Sequence, residues 1–160
     1  MGSLRSANLG TGTFDLGFTY SMQLVFVAYF ADSTNQNAFC GMETGAFSST
    51  DIPDDATSVI DHFGIFVDDA TIYASNADGT TQTKTAITGV TLAARNVYFI
   101  DFTTGSSVKF YVNDVLKATH TTNLPDTTNA ARMYFGIEST VIGEVKDLAI
   151  FNNYLLNLTV

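Results

Sequence analysis

Ser107-Val-Lys-Phe-Tyr-Val-Asn-Asp-Val-Leu-Lys-Ala-Thr-His120 is the stretch that decides the fold. Val108, Phe110 and Val112 alternate with Lys109 and Tyr111; Asn113-Asp114 interrupts, and Val115–His120 resumes. Successive side chains of a strand point to opposite faces, so this period of two marks half-buried strands. A two-residue, Asn-led connection between two such runs predicts a tight hairpin, because Asn and Asp accept the positive φ that such turns need.

The same period extends outward through the chain. Thr13–Tyr20 sets Phe14, Leu16, Phe18 and Tyr20 against Asp15, Gly17 and Thr19. Met22–Ala31 supplies apolar groups to both faces, which predicts a central strand covered on both sides, one of them open to a neighbouring subunit. Further strands are expected at Phe39–Met42, His62–Val67, Thr71–Ala74, Thr80–Thr85, Asn96–Phe102, Arg132–Glu138 and Glu144–Asn152, with a turn at Asn76-Ala-Asp-Gly79. About ten strands at roughly ten-residue spacing indicate a β-sandwich or jelly roll. No segment carries a sustained helical stripe, and the two prolines, Pro53 and Pro125, fall between the runs. The expected fold is one all-β domain, two antiparallel sheets packed as a sandwich, with residues 1–12 as an N-terminal arm.

Composition agrees. At 160 residues, with 46% hydrophobic residues including 13 Phe and 7 Tyr, the chain has material for one large core. Only 14% of residues are charged, and Thr, Ser, Asn and Gly supply the polar surface. The formal net charge is -9. Lys84, Arg95, Lys109, Lys117, Arg132 and Lys146 are scattered singly, so no basic face exists for nucleic acid or for an anionic membrane surface. Cys40 is the only cysteine and reads as a small buried hydrophobe. Met1–Gly12 lacks the pattern of a signal peptide, and Met22–Ala31 is too short to span a bilayer.

Residues 62–125 resemble the concanavalin A-like lectin/glucanase jelly rolls, in the version found in phage virion proteins. The resemblance rests on His62-Phe-Gly-Ile-Phe-Val67, on Ile72-Tyr-Ala-Ser75 with Asn76-Ala-Asp-Gly79, and on Val108-Lys-Phe-Tyr-Val-Asn113 followed by Ala118-Thr-His-Thr-Thr-Asn-Leu-Pro125. Asp114 stands where the family's hairpin carries glycine. This family implies a sandwich shared by lectins, glycosidases and structural proteins.

Glycosidases of this kind use paired carboxylates about 5–9 Å apart. No E-x-D-x-x-E run is present, Asp61, Asp68 and Asp69 flank a strand, and the chain has no tryptophan. Asp101, between Ile100 and Phe102, is the best single acid and is expected to face outward. Calcium is the usual ion of related lectins. Asp51, Asp54 and Asp55 form the densest acidic cluster and Asp68-Asp69 a smaller one, but neither has EF-hand spacing. A solvated loop is expected at each, with calcium as the alternative and no cofactor expected. His62 and His120 lie too far apart in sequence for a local metal motif; His120 is expected to pack or hydrogen-bond within the fold. Tyr29, Tyr73, Tyr98, Tyr111 and Tyr134 offer stacking faces; Tyr73, Tyr111 and Asn113 are the expected glycan contacts.

From these features the chain is expected not to be an enzyme. The expected role is structural: a capsid decoration (cement) protein or a head- or tail-fibre component, at a virion surface after assembly in the host cytoplasm. Expected partners are the major capsid or other virion proteins and further copies of the chain, in a homo-oligomer with a trimer favoured. The alternative is a lectin-like carbohydrate-binding module.

Overall fold

The computed structural model describes residues 16–31, 34–44 and 60–158, with backbone alone at 16 and 156–158. The described strands are β1 (Leu16–Gly17), β2 (Ser21–Phe30), β3 (Gln36–Glu43), β4 (Asp61–Asp68), β5 (Thr71–Asp78), β6 (Gln82–Ile87), β7 (Asn96–Thr103), β8 (Ser107–Val112), β9 (Val115–His120), β10 (Ala130–Ser139) and β11 (Leu148–Leu158). They form two antiparallel sheets, β1-β10-β3-β4-β5-β6 and β11-β2-β7-β8-β9. The predicted all-β sandwich is the observed fold.

Strand alternation explains the core. β2 buries Met22, Leu24, Phe26, Ala28 and Phe30 while Gln23, Val25, Val27 and Tyr29 stay half-buried on its other side. The second cover expected over Met22–Ala31 is therefore absent among the described residues. Rings from both sheets meet in the interior: Phe63 of β4 stacks on Phe102 of β7 at 4.9 Å, and Phe18 meets both at 5.7 and 5.8 Å. Such ring pairs contribute about 0.5–1.5 kcal/mol each beyond the area they bury. Cys40 is buried in the same core, which pushes its thiol pKa up and leaves it inert.

The hairpin forms as its sequence dictates. Asn113 and Asp114 take φ of 50° and 64°, the left-handed pair of a type I′ connection. Asn113 also ties the turn to β7, accepting from the Val97 amide at 2.9 Å and donating to Asn96 Oδ1 at 3.0 Å. Several expected boundaries move, three of them with a visible local cause. The run from Thr13 breaks after Gly17: the Tyr20 amide turns back to Gly17 O at 3.2 Å, so Phe18 enters the core and Tyr20 is exposed. β5 continues through Asn76 to Asp78, and the turn falls at Asp78–Thr81, where Asp78 Oδ1 accepts from the Thr80 and Thr81 amides. The last strand starts at Leu148, after a loop bent at Gly143 (φ 91°), and runs to Leu158.

A polar seam closes one side of the sandwich. Asn76 Nδ2 donates to Thr122 O at 3.0 Å and to Asn123 O, so its Oδ1 is left to accept from His120 Nδ1. That fixes the proton on Nδ1, and His120 Nε2 accepts from Thr85 Oγ1 at 2.9 Å. His120 thus joins β9 of one sheet to β5 and β6 of the other, in the structural role its position in the sequence suggests. Burial lowers its pKa, and it lowers that of the fully buried His62 to about 4.

The outer face of the six-stranded sheet is tight as well. Gly41 and Gly64 lie opposite each other on β3 and β4, and the ring of Phe39 rests on them. A Cβ on Gly64 would sit 2.5 Å from Phe39 Cζ and 2.7 Å from Cys40 O. Gly64→Ala is therefore expected to destabilise by about 1–3 kcal/mol through overpacking, seen as a lower urea midpoint at unchanged slope. Acid is expected to destabilise too. A buried neutral histidine has its folded pKa below the unfolded value of about 6.5, so its contribution is complete above that pH and is lost as pH falls towards the folded pKa. For His62 the loss amounts to roughly 3 kcal/mol by about pH 4. Urea midpoints measured between neutral and acid pH check this; His62→Gln should flatten the dependence.

Candidate functional site

Each sheet presents an outer face, and the two faces differ in access. On the six-stranded sheet the ladder places Arg132, Glu43, His62, Ala77 and Gln82 side by side across β10, β3, β4, β5 and β6. A carbonyl only accepts, so His62 Nδ1 carries its proton to Ile60 O at 3.1 Å, and Nε2 accepts from Ser75 Oγ at 2.8 Å. Gln82 Nε2 donates to the same hydroxyl at 2.9 Å. A hydroxyl held on a neutral imidazole is the arrangement from which nucleophile and base chemistry starts. Here Ser75, His62 and Glu43 are all 0% exposed, so the row is closed to a substrate in this conformation.

Four residues along the strands, Phe39, Phe66 and Tyr73 form an aromatic row. Phe66 and Tyr73 lie 6.0 Å apart, and Lys84 sets its ammonium 5.1 and 5.0 Å from their centroids. The ring face of Tyr73 is thus capped by a cation from within the chain.

The outer face of the five-stranded sheet is accessible. Cross-strand pairing aligns Tyr154, Val25, Phe99, Tyr111 and Leu116, one from each of β11, β2, β7, β8 and β9. With strands about 4.8 Å apart, this row runs about 19 Å. Tyr154 is 62% and Leu116 50% exposed, Phe99 and Tyr111 are half-buried, and these two rings pack at 5.3 Å. The next row, Gln23, Asp101, Lys109 and Thr119, is polar. Asp101 points outward as expected and accepts from Gln23 Nε2 at 3.4 Å. Aromatic faces beside hydrogen-bonding groups suit a ligand that has both apolar and hydroxylated surfaces.

The expected glycan contacts therefore do not converge. Tyr111 and the exposed Asn113 lie on the five-stranded sheet and its hairpin tip, whereas Tyr73 lies on the opposite side of the sandwich. Tyr98 is fully buried and stacks on Phe26 at 5.1 Å; Tyr134 is also buried, and Tyr29 is half-buried on the outer face. Asp51, Asp54 and Asp55 lie outside the described residues. Among the described residues no group of three or more His, Cys, Asp or Glu is placed to hold a metal ion. Asp61 is engaged inside the fold, accepting from the Asp126 amide at 2.6 Å and from Asn129 at 2.8 Å. The row from Arg132 to Gln82 was invisible in the sequence, because its members come from five strands with no local spacing to betray them.

No protein-family model matches the chain, and no curated protein matches it. Solved structures do. A polysaccharide lyase family-7 alginate lyase, A1-II′, superposes with a TM-score of 0.64 at 10% identity, over 99% of this chain and 71% of that one. A prokaryotic β-1,3-1,4-glucanase (lichenase) from a mouse hindgut metagenome gives 0.62 at 10% identity, over 98% and 70%. Sheep galectin-11 gives 0.54 at 11% identity, over 88% and 93%. The expectation that this chain is not an enzyme is corrected by these likenesses: its fold is shared with polysaccharide-cleaving enzymes as well as with a lectin. That expectation rests on local motifs and on tryptophan, whereas a sheet brings polar side chains together across strands, as in the row from Arg132 to Gln82. At these identities the likeness establishes the fold, and the fold is the concanavalin A-like jelly roll that the segment from His62 to Pro125 resembles.

Proposed function

We propose that the chain is a lectin-like carbohydrate-binding module whose ligand lies on the outer face of the five-stranded sheet. One observation carries this reading: an aromatic row of exposed Tyr154 and half-buried Phe99 and Tyr111 runs beside the polar row of Gln23, Asp101, Lys109 and Thr119. Sugar rings have apolar C–H faces for the first row and hydroxyls for the second. The net charge of -9 opposes an acidic polysaccharide, so an uncharged saccharide is the ligand class. The company of a galectin, an alginate lyase and a lichenase in fold supports carbohydrate recognition.

Attachment to a virion shell or fibre is a second reading, favoured by the loop between β10 and β11. Ile142 and Val145 are 102% and 85% exposed there. The loop is tied to Asn35 by the Thr140 amide on Asn35 O at 2.9 Å and by Asn35 Nδ2 on Glu144 at 3.3 Å. A loop that shows aliphatic side chains to water is suited to protein–protein contact.

The first reading is tested by a glycan array followed by titration with β-1,3-1,4-glucan oligosaccharides. Tyr111→Ala should weaken saturable binding at least about tenfold, equivalent to roughly 1.4 kcal/mol, and Tyr73→Ala should not. The reverse result moves the ligand to the six-stranded sheet, and an array without any saturable binder removes the reading. For the second, Ile142→Ser with Val145→Ser should abolish co-sedimentation with particles that carry the chain, while leaving sugar binding intact.

A further inference from the structure

We infer that the saccharide taken by the outer face of the five-stranded sheet carries an acetamido group, and that Val97 reads its methyl. The inference rests on the glycan reading above and adds to it the class of sugar. Its source is a third row on that face. Cross-strand pairing sets Asn152 of β11, Val27 of β2 and Val97 of β7 side by side. The row ends at the hairpin tip, where the Asn113 amide donates to Val97 O at 2.8 Å and Asn113 Oδ1 accepts from the Val97 amide at 2.9 Å. A carboxamide thus stands at each end of a pair of valines. Val97 is 40% exposed and Val27 half-buried, while Asn113 and Asn152 are both exposed.

The order of the three rows selects the ligand. Two residues along a strand span about 7 Å. The valine row lies that far to one side of Phe99 and Tyr111, and the polar row with Asp101 and Lys109 lies as far to the other. A pyranose stacked on Phe99 and Tyr111 therefore has one edge over hydrogen-bonding groups and the opposite edge over aliphatic carbon. A hydroxyl on the valine side loses water there and gains no partner. An acetamido group reverses that cost, since its methyl covers Val97 and its amide meets the carboxamides. Asn113 has capacity for this: Nδ2 carries a second hydrogen beyond the one given to Asn96 Oδ1 at 3.0 Å.

Other substituents fit less well. The methyl of a 6-deoxy sugar stands close to the ring, falls short of the valine row and brings no amide. A free amino sugar is a cation, and Asp101 already lies opposite Lys109, so the polar row offers it no net countercharge. The stacking position is also defined. Phe151 is capped by the Arg95 guanidinium at 3.9 Å, which leaves Tyr154, Phe99 and Tyr111 as the rings for the sugar.

A matched pair of trisaccharides tests the inference: β-1,4-linked N-acetylglucosamine and β-1,4-linked glucose, which differ only in the acetamido groups. Calorimetric titration should show the N-acetylated trimer binding about tenfold tighter, the scale of one apolar group in a binding site. In saturation-transfer NMR its acetamido methyl protons should receive the largest transfer. Val97→Thr keeps the branched shape and puts a hydroxyl under the methyl. It should bring the two affinities together by weakening the N-acetylated trimer alone. Asn152→Ala should lower the same affinity selectively and serves as the second variant should Val97→Thr fail to fold by circular dichroism. Equal affinities for the two trimers, tighter binding of L-fucose than of either, or a preference that survives both folded variants would overturn the inference and leave the glycan reading standing. An array without any saturable saccharide would remove both.

Discussion

The stacked contact between Phe63 of β4 and Phe102 of β7 is the constraint on which the sandwich depends. It joins one sheet to the other at van der Waals distance and, with Phe18 against both rings, fixes which residues of each strand face inward. Once that parity is set, a one-residue slip would carry every core side chain of a strand to the outer face. The fully buried Phe26, Phe30, Ile65 and Ile100 follow from the same choice. So do the residues left outside.

Those outer residues meet opposite fates. On the six-stranded sheet Phe39, His62, Phe66 and Ser75 are buried although they face away from the core, and the glycine pair beneath Phe39 lets the ring lie flat. On the five-stranded sheet, residues of similar apolar character stay in contact with water. Hydrophobicity alone does not separate the two faces; access does. The five-stranded face is the open one, while the buried chain of hydrogen bonds through Gln82, Ser75 and His62 orders the other sheet.

Local signals in the sequence were legible where the physics is local. The alternation of Val108, Phe110 and Val112 and the positive φ of Asn113 and Asp114 follow from neighbours in the chain, and both appear as expected. The break after Gly17 was not legible, because Phe18 leaves the strand pattern to fill a gap between Phe63 and Phe102, residues far away in sequence. The candidate site was legible residue by residue but not as a surface. Tyr111 was recognisable as an aromatic with a strand's spacing, yet its place between Phe99 and Leu116 depends on the register of three strands. Tyr73 looked equivalent to it, and only pairing with Phe66 and the reach of Lys84 set it apart.

The order of strands in the five-stranded sheet bears on how the chain assembles. β7, β8 and β9 are consecutive and pair with their immediate neighbours, so they close short loops at little entropic cost. β2 sits between β7 and β11, strands made well after it, and β11 is the last of the described strands to leave the ribosome. During synthesis β2 must wait for both flanks, its inner phenylalanines unburied, and the slow closure of such long-range pairs is where aggregation competes with folding. The hairpin can nucleate early, but the sheet is completed by its last-made strand.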